Sequence, residues 1–89
     1  MDIKGKVAVI TGGASGIGQG VARALAAKGA RIGIFDLNEA AGQAMVDELG
    51  AANCVFAKVN VVDEESTKAG IAKVVAAFGA TITGCTARD

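Results

Sequence analysis

The chain has no histidine, tyrosine, tryptophan or proline, and its aromatic residues are three phenylalanines. Nothing in it pairs a nucleophile with a base as general acid–base or covalent catalysis requires, so the 89 residues are read for binding rather than for bond-making chemistry. Nine Lys plus Arg offset nine Asp plus Glu, without a basic cluster. Lacking both a phosphate-tracking surface and base-stacking aromatics, the chain is not expected to bind nucleic acid. No uninterrupted apolar run is long enough to cross a bilayer, and Met1-Asp2-Ile3-Lys4-Gly5-Lys6 leads at once into a strand. A soluble, unexported, cytoplasmic protein is expected, with the mitochondrial matrix as the eukaryotic alternative. The two cysteines, Cys54 and Cys85, have no metal-ligand spacing, which points to reduced thiols, Cys54 as a buried structural one. Without proline or a linker the chain reads as one small domain, and 52% hydrophobic content excludes disorder.

What the chain does have is glycine in a particular place. Thr11-Gly12-Gly13-Ala14-Ser15-Gly16-Ile17-Gly18 follows the apolar run Val7-Ala8-Val9-Ile10. A strand that ends in a glycine-rich turn and enters a helix aims backbone N–H groups and the positive helix end at a pyrophosphate. Gly12 and Gly16 allow tight turning and close approach of the backbone, and Gly18 lets the helix pack against strand and cofactor. Eighteen residues beyond Gly18, Arg31-Ile32-Gly33-Ile34-Phe35 ends in Asp36. A carboxylate there accepts hydrogen bonds from the adenosine ribose and repels a 2′-phosphate, so NAD rather than NADP is implied. The alternative reading makes Asp36 the cap of the next helix.

The chain alternates strands near 6–11, 31–36 and 54–59 with helices near 17–28, 39–49 and from Asp63 to Phe78. Gly29, Gly50 and Gly79 read as helix stops. The faces expected against the sheet are Ile17, Val21, Ala24 and Leu25 on the first helix, Ala41, Ala44, Met45 and Leu49 on the second, and Ile71, Val74, Val75 and Phe78 on the third. Asp63 is the expected N-cap of the third helix, with Glu64 and Glu65 in its first turn. Ser66, Thr67 and Lys68 read as solvated polar face. Three βα units joined by right-handed crossovers give an α/β fold: half of a doubly wound parallel Rossmann sheet, strand order 3-2-1.

The loop Thr11 to Gly18, Asp36, and Asn60-Val61 after the third strand together resemble the amino-terminal half of a short-chain dehydrogenase/reductase, over about Lys4 to Gly79. Within that family, Asn53-Cys54-Val55-Phe56-Ala57 and Val61-Val62-Asp63-Glu64-Glu65 are similar to type-2 3-hydroxyacyl-CoA dehydrogenases. The resemblance implies an oxidoreductase passing hydride between NAD and a secondary alcohol or ketone, such as a 3-hydroxyacyl-CoA. It also implies that the loop from Thr11 and Gly12 onward holds the dinucleotide. Ser15 and Ile17 would lie at the pyrophosphate and ribose, Asp36 and Leu37 at the adenosine ribose, and Asn60 and Val61 at the adenine. The family usually has Asp where this chain has Asn60, whose amide oxygen accepts without charge. The family's catalytic Ser and Tyr-x-x-x-Lys set has no counterpart here, so no catalytic residue is assigned and the chain alone is expected to be inactive.

Residues 1–79 are expected to form the partial dinucleotide-binding domain and 80–89 a divergent tail. In place of the family's Asn-Asn-Ala-Gly or Asn-Cys-Ala-Gly, the tail reads Ala80-Thr81-Ile82-Thr83-Gly84-Cys85-Thr86-Ala87-Arg88-Asp89. Read in another frame, Gly84 to Asp89 can spell Leu-His-Cys-Ala-Gly, so a frameshifted or broken reading frame is expected. Without a fourth strand, the first should be an open edge through which the chain self-associates. Two further readings stay open, an inert adenine-nucleotide-binding module and an interaction fragment that pairs by strand addition.

Overall fold

A computed structural model of the chain describes residues 4–12, 16–60 and 62–79. The elements run β1 (Val7–Thr11), α1 (Gly16–Ala27), β2 (Arg31–Asp36), α2 (Glu39–Leu49), β3 (Cys54–Lys58) and α3 (Glu64–Phe78). All strand pairs are parallel, β1 beside β2 and β2 beside β3, which is the expected 3-2-1 order. The tail 80–89, with Cys85, lies outside the described residues.

Alternation along the strands sends side chains to two cores. Ala8, Ile10, Ile32, Ile34 and Cys54 face α1 and α2, where Ala22, Met45 and Val46 meet them. Val7, Val9, Phe35, Ala57 and Val59 face the other side, where Val74 and Phe78 of α3 meet them. Both faces of the sheet are therefore packed, as the near-continuous apolar runs of a parallel sheet demand. Burial pushes the Cys54 thiol up to about 11.

The faces read from the sequence hold at Met45, Val74 and Phe78, which are buried, and at Val21, Leu25 and Leu49, which pack against the core, but they also take in residues that point outward. Ile17, Ala24, Ala44, Ile71 and Val75 are exposed, and the buried positions are Gly18 and Ala22 on α1, Gly42, Met45 and Val46 on α2, and Gly70, Val74 and Phe78 on α3. Close approach is the reason. A Cβ on Gly42 would lie only 2.1 Å from Phe56 Cδ1, and one on Gly70 would lie 2.6 Å from Val59 Cγ2. Glycine, which carries no apolar weight in a periodicity count, marks the row that touches the sheet.

The expected stops are in place: Gly29, Gly50 and Gly79 take φ of 90°, 93° and 62°. Asp63 caps α3, its Oδ1 accepting from the N–H of Glu65 at 3.1 Å and of Ser66 at 3.4 Å. Across the surface, Glu48 of α2 accepts from Arg23 Nε and Nη2 at 2.5 and 2.9 Å, tying α1 to α2. That hydrogen bond holds the Glu48 carboxyl below its usual range.

Candidate nucleotide site at the carboxyl ends of the strands

The register Thr11↔Phe35 and Asp36↔Lys58 levels the carboxyl ends of the three strands, so the segments that follow them share one edge of the sheet. Thr11 closes β1. Gly12 turns the chain with φ +69°, a conformation that favours glycine, and its N–H donates to Phe35 O at 2.8 Å. This bond seats the start of the loop against β2. Ser15, with Gly13 and Ala14, lies outside the described residues.

Gly16 opens α1, and a Cβ there would meet nothing within 4 Å. Its missing side chain leaves room on the outer side of the helix end, whereas Gly18 is buried. Ile17 between them is 63% exposed. The first turn of α1 holds no acidic residue, unlike those of α2, with Glu39, and α3, with Glu64 and Glu65. An amino-terminal helix end without its own carboxylate is electrostatically suited to an external anion.

Asp36 ends β2 half-buried, and its Oδ1 accepts from the N–H of Asn38 at 3.0 Å. Asn38 is the residue that caps α2, with Oδ1 accepting from Ala41 N–H at 3.0 Å. The helix-cap alternative for Asp36 is thereby corrected: capping falls two residues later. Leu37, 57% exposed, stands between them at the same edge.

Asn60 completes the edge. Its N–H donates to Ser66 Oγ at 3.0 Å, its Oδ1 accepts from Val62 N–H at 3.2 Å, and its carbonyl accepts from Asp63 N–H at 2.9 Å. The amide oxygen thus holds one backbone donor and keeps a second lone pair. Val61 lies outside the described residues. The polar-face reading of Ser66 to Lys68 needs an addition at Ser66, which holds the Asn60 turn; Thr67 stays on that face, its Oγ1 donating to Asp63 O of its own helix cap at 3.2 Å. Lys68 likewise pairs within its own helix, reaching Glu64 at 3.5 Å and Glu65 at 3.9 Å. The bond from Asn60 to Ser66 has no signal in the sequence, because it depends on how the turn between β3 and α3 folds.

Among the described residues, no three His, Cys, Asp or Glu side chains gather as a metal site. A groove of about 570 Å³ between the carboxyl-terminal ends of α1 and α2, lined by Ala26, Ala30, Leu49 and Asn53, lies at the opposite end of the sheet.

Comparison with known proteins adds to this geometry. Residues 6–82 match the sequence model of the short chain dehydrogenase family. The chain is 43% identical over 77 residues to human 3-hydroxyacyl-CoA dehydrogenase type-2, covering 86% of this chain and 29% of that protein. It is 44% identical over 79 residues to a 2,5-dichloro-2,5-cyclohexadiene-1,4-diol dehydrogenase of Sphingobium indicum, covering 86% and 32%. The 3-ketoacyl-(acyl-carrier-protein) reductase of Brucella melitensis, solved in complex with NADH, superposes with a TM-score of 0.82 at 31% identity, over 86% of this chain and 31% of that one. The chain therefore spans about three-tenths of the length of these proteins.

Proposed function

Because the chain belongs to the short-chain dehydrogenase family, we propose that its residues form the adenosine and pyrophosphate half of an NAD site in an oxidoreductase. The observation that carries this reading is the α1 amino terminus, free of acidic residues in its first turn, on one sheet edge with Asp36 and Asn60. The residues fit the dinucleotide: Gly16 leaves space for phosphate, Asp36 can accept from ribose hydroxyls, and the second lone pair of Asn60 Oδ1 can accept from the adenine amino group. Ser15, Ile17, Leu37 and Val61 complete the proposed contacts. NAD supplies hydride chemistry when bound; this chain binds and orients its adenosine half. The NADH complex of the Brucella melitensis reductase supports the reading.

For the whole protein we propose hydride exchange between NAD and a secondary alcohol or ketone, with 3-hydroxyacyl-CoA as the candidate substrate, supported by likeness to the human dehydrogenase. The 89 residues contain no tyrosine to act as acid/base, so this chain by itself should give no reduced cofactor. Calorimetric titration tests the binding reading. NAD should bind more tightly than NADP, and Gly16→Val should abolish binding without unfolding the chain, since its new side chain points into open space. Equal or tighter binding of NADP would contradict the role of Asp36.

A second reading concerns association. β1 ends the sheet among the described residues, and the exposed flank of α3 carries Ile71 and Val75, 40% and 41% exposed. These features support pairing of β1 with a second copy of this chain. The buried free thiol of Cys54 supports a reducing, cytoplasmic compartment. No helix among the described residues is long and apolar enough to cross a membrane.

A further inference from the structure

Beside Asp36 stands a cation. Lys58, the last residue of β3, is the register partner of Asp36. Ile32, Ile34 and Cys54 all face the α2 side of the sheet, and strand alternation puts Asp36 and Lys58 on that face as well. Lys58 Nζ lies 3.6 Å from Oε1 of Glu39, the first residue of α2, with both side chains well exposed.

We propose that the Glu39–Lys58 pair is a second determinant of cofactor choice at this edge. The inference rests on the nucleotide reading of Asp36. A 2′-phosphate on the ribose would arrive at Asp36 carrying nearly two negative charges. Lys58, a flexible point charge, is within reach of that position and would attract it. Glu39 prevents this in two ways. It engages the ammonium, and it adds a second carboxylate to the approach of the phosphate, while its place at the start of α2 is favoured by the helix end. Selectivity against the phosphorylated cofactor is therefore shared between Asp36 and Glu39, with Lys58 held out of play.

The test uses the full chain with two probes that differ only in the 2′-phosphate: 5′-AMP and adenosine 2′,5′-bisphosphate, titrated by NMR. In Glu39→Gln, affinity for the bisphosphate should rise roughly threefold to fivefold, the size expected of an exposed ion pair, while 5′-AMP changes much less. Adding Lys58→Met to Glu39→Gln should erase the gain. The proposal is overturned if Glu39→Gln moves both probes equally or neither, or if the gain survives the loss of Lys58. If 5′-AMP fails to bind even the unaltered chain, the nucleotide reading itself fails, and this inference with it. Both substitutions are on exposed side chains, and unchanged amide shifts in the two cores verify that each variant is folded.

Discussion

At Gly42 a hydrogen in place of a methyl group decides how near α2 can come to β3. A Cβ would overlap the Phe56 ring, so Gly42→Ala must push the ring or the helix outward, and overpacking of this kind costs about 1–3 kcal/mol. Urea denaturation should show a lowered midpoint with little change in slope. Cys54 makes a prediction of opposite character. Its pKa is raised to about 11 by desolvation, so its contribution to stability is complete below the ordinary thiol range and is lost as pH rises towards 11. Alkylation of Cys54, followed by peptide mass mapping, should be slow at neutral pH in the native chain and fast in urea. Rapid native alkylation would mean that the α1–α2 core opens readily.

Helices and strands were legible in the sequence to within a residue or two, the helices because each is followed by a glycine with positive φ. Gly79, for instance, ends α3 in the left-handed conformation and donates its N–H to Val75 O at 2.7 Å. The glycine contacts of the helices were not legible. Of the α3 residues expected on the sheet, Val74 and Phe78 are buried there, but Ile71 and Val75 are exposed, and Gly70 makes the close approach because the contact with Phe35 and Val59 leaves no room for a Cβ. At the carboxyl edge, the place of Asp36 at the end of a strand was legible. The Ser66 bond to Asn60 was not, since it needs the fold of the turn between β3 and α3. Asp63 and Ser66 both act at that turn, and they should fail differently. Asp63→Ala removes the cap of α3 and should cost about 1 kcal/mol of stability. Ser66→Ala leaves the cap but frees the Asn60 N–H, so it should weaken adenosine binding more than it lowers the denaturation midpoint. Loss of stability without loss of binding in Ser66→Ala would limit that hydroxyl to a structural role.

At the scale of the molecule, the described residues form three parallel strands between two unequal layers, two helices on one face and one on the other. Arg31 N–H bonds Lys6 O and Gly12 N–H bonds Phe35 O, so the even-numbered residues of β1 direct their backbone groups to β2. The backbone groups of Val7 and Val9 point the other way. At β3 the alternation has the same sense: Ile32 N–H bonds Asn53 O and Val59 N–H bonds Asp36 O, which turns the Phe56 carbonyl outward, where Lys73 Nζ donates to it. One rim of the sheet is therefore held by a lysine, a device that discourages edge pairing. If β1 pairs with a second copy, exchange at Val7 and Val9 should slow with rising protein concentration while Ala8 and Ile10 stay protected throughout, and sedimentation should track the same change. Concentration-independent exchange from a monomer would exclude the association reading.

The central claim is that an adenine dinucleotide lies along the carboxyl edge, and NMR amide shifts during titration with NAD test it most directly. The account predicts that Thr11, Gly12, Gly16, Ile17, Gly18, Asp36, Leu37 and Asn60 shift together along one binding curve, while Ala30, Leu49 and Asn53 at the opposite end of the sheet stay still. Shifts confined to that opposite groove, or none at saturating NAD in a folded chain, would contradict it.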